Sequence, residues 1–408
     1  MVDPDVRRAR MSVFGYFGLC GVVVGMWAAG LPALDDRLGL GAARLGTALL
    51  FVSFGALISM PIAGRLCDRW SSRAVCVPAG PLCALSLICP ALAPSYGTLI
   101  LGALVFGMGL GLLEIAMNVH AVEVERRHPK PILSAFHGVW SLGGAAGGAL
   151  TAAGLHAGIG SQRMLVVAAL AGAVLFLPPA RWLLPGAAGP GAGTEAEPHV
   201  KTAPRRVGLW RLVLFLGTIV FAGHLSEGAA LDWAAVHARD VLEAGPAVAP
   251  LAFTVYSVAM TTVRLLGDGL RDRLGAARTI RLSGLVAAAG YALVLLAPVT
   301  GGARLGVAWA GWALAGVGLA TIVPVVFSAV GAAGGTAGRA LSTVTMFGYA
   351  GLLGGPPVIG HLADATSLPL ALAIPGVLCA YIAAAGPAGI RALAPPGPEP
   401  AVRSSVRA

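Results

Sequence analysis

The sequence predicts an all-α integral membrane protein of twelve transmembrane helices in two six-helix halves. Three observations predict it. Apolar runs of spanning length recur along nearly the whole chain, its basic residues gather on alternate loops, and one loop signature occurs twice, half a chain apart. The 408 residues are 57% hydrophobic and only 11% charged, with a mean hydropathy of +0.82, far from the balance of a soluble domain.

A spanning helix needs about 20 apolar residues. The troughs between apolar runs delimit segments at 11–34, 44–66, 74–93, 97–121, 132–155, 161–184, 210–235, 248–270, 279–298, 304–330, 339–362 and 367–390. Barrel strands would be about ten residues long and alternate in polarity, which these runs do not. The 58 glycines, poor in soluble helices, suit helices that approach closely in lipid. The Pro- and Gly-rich interval 185–209 is expected to be a cytoplasmic linker between an N-terminal half (1–184) and a C-terminal half (210–391), and 392–408 a disordered tail.

A net charge of +10 raises the question of nucleic acid, and the placement of the charge answers it. With a cytoplasmic N-terminus, 23 of the 28 Lys and Arg residues fall inside, and only Arg37, Arg44, Arg163, Arg239 and Arg304 fall outside. That asymmetry follows the positive-inside rule for a multi-pass protein with both termini cytoplasmic, in an inner or plasma membrane. No nucleic-acid partner is expected; the bilayer, a small-molecule substrate and protons are, with a monomeric state. Six cysteines without paired spacing read as packing residues, so no metal or cofactor is expected. No phosphate loop, zinc His pair or nucleophile elbow occurs, which argues against an ATP-driven pump or an enzyme.

The repeated signature is GRLCDRWSSR, with Gly64, Leu66, Asp68, Arg69 and Arg73, and DGLRDRLGAAR, with Asp268, Leu270, Asp272, Arg273, Gly275 and Arg278. The two Asp-Arg pairs are 272 − 68 = 204 residues apart, each between the second and third spans of its half. These loops resemble the G-x-L-x-D-R-x-G-R signature of the major facilitator superfamily (MFS), with Ser71 and Ser72 departing from the common Gly and Arg. The resemblance covers essentially the whole chain. It implies transport by alternating access, with Asp68 meeting a helix N-terminus of the other half in one state and releasing it in another.

Glu114 is an acid inside the apolar fourth span, GLGLLEIAMN (109–118), where a charge at helix-centre depth costs roughly 2.5–3.5 kcal/mol unless it is paired, protonated or faces a cavity. Asn118 follows one turn later on the same face. The fifth span carries His137 and Trp140 in LSAFHGVWSLGG (133–144). Together these segments resemble the fucose-permease branch, and the YbjJ type, of the MFS. The resemblance implies a proton-coupling role for Glu114 and a substrate contact at His137. The second acid of that permease's first helix has no counterpart here, because Asp35 and Asp36 fall at the outer end. From depth along the spans, Glu114 and His137 are expected to meet, sharing a proton or a static hydrogen bond.

In the seventh span, GHLSEGAALDWAAVH, Glu227 is expected to line the substrate path, flanked by Gly223 and Gly228. Asp232 and Trp233 are candidates for an outer gate; with His237 they also suit the membrane interface. Trp27, Trp309, Trp312 and Tyr349 are further candidate cavity aromatics. Arg264 is expected to pair with Asp268, one turn on. The function expected is proton-coupled symport of a small polar, sugar-like solute. The alternatives are drug or metabolite efflux by proton antiport, and a non-transporting sensor or assembly protein on the same scaffold. The fifth span lacks the Gly-Pro ending that antiporters of the family carry; Gly355-Pro356 lies on the eleventh.

Overall fold

A computed structural model describes residues 3–129, 132–185, 207–266, 274–331 and 337–393. Asp268, Leu270, Asp272 and Arg273, nearly all of the 185–209 interval and the tail beyond 393 lie outside the described residues. Among the described residues regular structure is helical and forms twelve rods. They are α1 (Pro4–Leu38), α2 (Gly41–Trp70), α3 (Ser72–Ser86, continued by Ile88–Ala91), α4 (Tyr96–Arg126), α5 (Leu133–His156) and α6 (Ser161–Leu175, continued by Leu177–Ala180). The rest are α7 (Val207–Asp240), α8 (Pro250–Leu266), α9 (Ala276–Leu296), α10 (Arg304–Leu319, continued by Ile322–Gly331), α11 (Ala337–Ala365) and α12 (Leu368–Leu393). Eight segments are long and apolar enough to cross a bilayer by composition, one of them, Ala276–Val330, containing both α9 and α10. The shorter or more polar α5, α8 and α11 complete the set.

The connections are tight and locally encoded. Asp3 caps α1 through the Asp5 N–H at 2.9 Å, with Pro4 in the first turn, where its missing N–H costs nothing. α1 ends at Gly39 (φ 58°), whose N–H donates to the Asp35 carbonyl at 2.8 Å, a left-handed cap that glycine adopts freely. Ser95 and Thr98 form a reciprocal capping box that starts α4. Ser71 joins α2 to α3 at φ 118°, a region that favours glycine, and its Oγ accepts from the Ala74 N–H at 3.3 Å. The position 204 residues later is Gly275, which has φ 74° and starts α9. The two equivalent positions therefore share a positive φ at the start of a helix, with Ser71 bearing the backbone strain that Gly275 avoids.

Packing repeats with the same offset. α1 packs on α5, α2 on α4 and α3 on α6 in the first six rods; α7 packs on α11, α8 on α10 and α9 on α12 in the second. The two sets meet along α5 with α8 and along α2 with α11. Glycine makes the closest of these approaches. A Cβ on Gly107 would strike the Val52 carbonyl, one on Gly55 the Leu104 carbonyl, and one on Gly351 of α11 the Phe221 carbonyl of α7. Lipid supplies no hydrophobic drive for helix association, so this backbone contact is what holds neighbours together.

Gly107→Val forces α2 and α4 apart and is expected to cost about 1–3 kcal/mol, read as a lower unfolding temperature in detergent. Gly306→Ala, at a position with open space for a Cβ, is expected to leave that temperature unchanged.

Candidate functional site

The polar interior lies where α1, α4 and α5 face α7, α8 and α11. Glu114 lies 126 − 114 = 12 residues from the end of α4, about 18 Å of helix. It is half-buried, and its carboxylate makes no hydrogen bond or ion pair among the described residues. Its electrostatic neighbours are Cys20 on α1 and Tyr349 on α11, one from each set of six rods. Asn118 donates from Nδ2 to the Glu114 backbone carbonyl at 2.8 Å, so its amide leaves the carboxylate uncompensated. Trp140 is half-buried and lies beside Cys20, itself an electrostatic neighbour of Glu114.

The expected contact between Glu114 and His137 is absent, for two reasons. α4 runs on to Arg126, deeper than the span limits suggested, whereas His137 lies 137 − 133 = 4 residues from the start of α5, about 6 Å. Moreover, α4 and α5 scarcely touch although consecutive; α4 packs on α2 and α3, and α5 on α1 and α8. His137 instead meets Phe17 of α1 edge-on, with centroids 5.2 Å apart. It is exposed between buried Phe136 and Gly138, yet lies within electrostatic reach of Arg264 and Glu227 from the second set of rods. An exposed side chain surrounded by other helices lines an internal cavity.

Glu227 takes its charge partner from α8. Arg264 Nη2 donates to Glu227 Oε1 at 3.0 Å and Nη1 to Ser141 Oγ of α5 at 2.9 Å. The side chains of Arg264 and Glu227 are 18% and 14% exposed, so the pair is shielded but open to the cavity. Asp268, the expected partner of Arg264, lies outside the described residues. Tyr256 on α8 is fully buried close to the same pair, and its hydroxyl has no hydrogen-bond partner among the described residues. Neither Ser141 nor Tyr256 carries a sequence signal, since hydroxyls are common in spans. Arg264 does: a cation before the end of an apolar run asks for a partner.

At the opposite end of the bundle, α7 runs on to Asp240, and its last turn reaches α1. Arg239 bonds Asp35 Oδ2 at 2.5 Å, Asp36 Oδ1 at 3.0 Å, the Pro32 carbonyl and its neighbour Asp240. Asp35 also accepts from the Gly41 N–H at 2.8 Å, so it is already fixed by the α1–α2 turn. Arg239 and Asp35 are 239 − 35 = 204 residues apart, the repeat offset, so the clamp joins equivalent positions of α1 and α7. Asp232, two turns earlier on α7, is half-buried without a hydrogen bond or ion pair among the described residues. Trp233 and His237 are fully buried, His237 edge-on to Trp312 at 6.0 Å. His237 thus stands inside the helix packing, because α7 outruns the expected span end at 235. Of the other candidate aromatics, Trp27 packs against Phe106 at 5.4 Å and Trp312 against Tyr291 at 5.7 Å, as core residues, while Trp309 is half-buried.

At the end carrying the basic loops, Asp68 and Arg69 are exposed, and Asp68 has no partner among the described residues. The Cβ position of Gly64 is open. Arg73 donates to the Leu183 carbonyl at 2.7 Å. Beside it, buried His120 bonds Ser72 Oγ at 2.8 Å and accepts from the Leu184 N–H at 3.1 Å. Ser72, where the family often has Arg, thus helps to pin the end of the sixth rod.

Residues 12–337 match the family model described as Major Facilitator Superfamily. The chain is 31% identical over 391 residues to an uncharacterized MFS-type transporter of Yersinia pestis, covering 96% of this chain and 98% of that one. It is 34% identical over 382 residues to the uncharacterized transporter y4wD of Sinorhizobium fredii, covering 91% and 95%. The membrane protein MosC of Rhizobium meliloti is 29% identical over 377 residues, covering 91% and 87%. Among solved structures, a mutant of the nucleoside transporter NupG superposes with a TM-score of 0.72 at 15% identity, over 94% of this chain and 99% of that one. A D-xylose-proton symporter does so with 0.72 at 13%, over 95% and 98%.

Arg239→Gln is expected to weaken closure of the α1–α7 end by about 1–3 kcal/mol, the worth of hydrogen bonds to charged groups. In a cysteine-free background with spin labels at Leu38→Cys and Val241→Cys, the distance distribution should lengthen and broaden. An unchanged distribution would show that the clamp does not hold that end shut.

Proposed function

The chain belongs to the major facilitator superfamily of membrane transporters, and from that premise we propose that it moves a small polar solute by proton-coupled symport. In this reading the two halves, 1–184 and 210–391, rock about a central site, and the chain acts as a monomer in a bacterial inner membrane. The end with the basic loops and both termini faces the cytoplasm. The conformer is then inward-facing: the Arg239 clamp closes the outside, with Asp232 and Trp233 as gate residues behind it, and Asp68 is released. Asp68 with Arg69 and Arg73, and Asp272 with Arg273 in the second copy, would re-engage as the inside closes.

One observation carries the reading. Glu114 is an interior carboxylate with no partner among the described residues, facing both halves through Cys20 and Tyr349. An uncompensated acid there favours a proton or a polar ligand group over remaining bare. Asn118, His137, Trp140 and Glu227 supply donors, acceptors and an aromatic face for a hydroxylated solute. The superposing structures are named for a pentose and for nucleosides, both small polyhydroxy compounds, which supports that solute class. The GLGLLEIAMN and LSAFHGVWSLGG segments support placement in the fucose-permease-like, YbjJ-type branch.

In proteoliposomes, uptake of a transported solute is expected to rise several-fold when the outside is made acidic. Glu114→Gln, which keeps the shape and removes the titrating group, is expected to abolish that stimulation. Gradient-driven uptake that survived in Glu114→Gln would remove Glu114 from the coupling role.

A further inference from the structure

Arg264 holds a permanent positive charge in a cavity between the halves, and only part of its donor fork is used. One terminal nitrogen bonds Glu227 at 3.0 Å and the other Ser141 at 2.9 Å, with no other acceptor among the described residues. Glu227 Oε2 likewise accepts no hydrogen bond there. Two further groups face the pair with capacity to spare. Tyr256 has a buried hydroxyl with no partner among the described residues, and His137 is exposed to the cavity. A planar guanidinium with free N–H groups, an imidazole and an unpaired phenol are the chemistry of a carboxylate receptor.

A second carboxylate beside Glu227 would place two like charges on one cation, unless a proton neutralised one of them. The titratable groups around Glu227 are Arg264 and Tyr256 from α8, His137 from α5, Tyr291 from α9 and Cys379 from α12. Arg264 is the one fixed cation in that set. Empty, the site holds Arg264⁺ and Glu227⁻ and is neutral. With an anionic cargo on Arg264 and a proton on Glu227 it is neutral again. The anion alone leaves a net negative charge and the proton alone a net positive one, both costly at this depth. Neutrality therefore couples the two.

Resting on the transport reading above, in which Glu114 binds a proton, we propose that the cargo is a small organic carboxylate that replaces Glu227 on Arg264, and that Glu227 takes up a further proton as it leaves. No covalent bond changes. The Arg264–Glu227 pair opens, water outside supplies a proton to the Glu227 carboxylate, and the cargo carboxylate takes the vacated Arg264 N–H groups with the Tyr256 hydroxyl and His137 beside them. On release inside, Glu227 gives up its proton and closes back on Arg264. Ser141 ties Arg264 to α5, so the exchange is sensed in the N-terminal half.

The full chain is tested with lactate, gluconate and glucuronate against neutral glucitol and xylose and cationic glucosamine. Thermal stabilisation of the purified protein is followed from pH 6 to 8, together with uptake and internal pH in proteoliposomes. Carboxylates are expected to stabilise the protein increasingly as pH falls, and to carry protons inward. Arg264→Gln should weaken carboxylate binding about tenfold or more, and Arg264→Lys, which keeps the charge but loses the fork, by less. Glu227→Gln should flatten the pH profile of carboxylate binding, tighten binding at pH 8 and lower the number of protons moved with each carboxylate. A folded Glu227→Gln that kept the wild-type pH profile would overturn the proposal. So would movement of neutral or cationic probes alone, which would leave the transport reading intact. Silence across the whole panel would overturn that reading as well.

Discussion

Backbone-to-backbone approach at glycine is the constraint on which this bundle depends. In a bilayer the chain gains nothing from merely hiding apolar surface between helices, so neighbours are chosen by how closely they can pack. Gly21 and Gly25 of α1 lie against the Trp140 and Gly144 backbone of α5, and Gly55 and Gly107 interlock α2 with α4. Gly351 brings α11 onto α7, and Gly316 brings α10 onto α8, at equivalent places in the second set. Because α1 claims α5 in this way, α4 and α5 are kept apart. Glu114 and His137 then serve different parts of one cavity. Glu114 faces Cys20 and Tyr349, and His137 faces Phe17, Glu227 and Arg264.

The polar groups inside the bundle are distributed by the same packing. Asp35 is held twice, by the α1–α2 turn and by Arg239, and so makes a rigid abutment for the end of α7. Glu227 is balanced by Arg264, a pair whose cost of desolvation is offset only while both partners stay in contact. Glu114 and Asp232 have no such partner among the described residues. The Arg239 clamp joins residues one repeat apart, so it ties equivalent positions of α1 and α7 together.

Much of this organisation was legible in the chain. Length and polarity of the apolar runs determine helices of spanning length, because an unpaired backbone amide cannot be left in hydrocarbon. The 204-residue offset determined that the halves repeat, and with it the matched turns at Ser71 and Gly275. Glu114 stood out for its cost alone, and the charged residues at helix ends stood out as a group. Periodicity within one helix reports which residues share a face, as with Glu114 and Asn118. It carries no information about which other helix that face meets.

Partners were therefore decided by the tertiary structure. Local spacing offers Arg264 only Asp268, which lies outside the described residues; helix packing gives it Glu227 and Ser141, on two other rods. The sequence puts Asp35, Asp36 and Arg239 at one end of the protein, and only the packing of α1 beside α7 makes them a clamp. What the sequence determined by itself is what the bilayer demands of each segment separately: its helicity, its length and its place in a repeated order. Which carboxylate is neutralised and which is left open depends on distances of a few ångströms between rods, and those are settled by backbone contacts at glycine that no single segment contains.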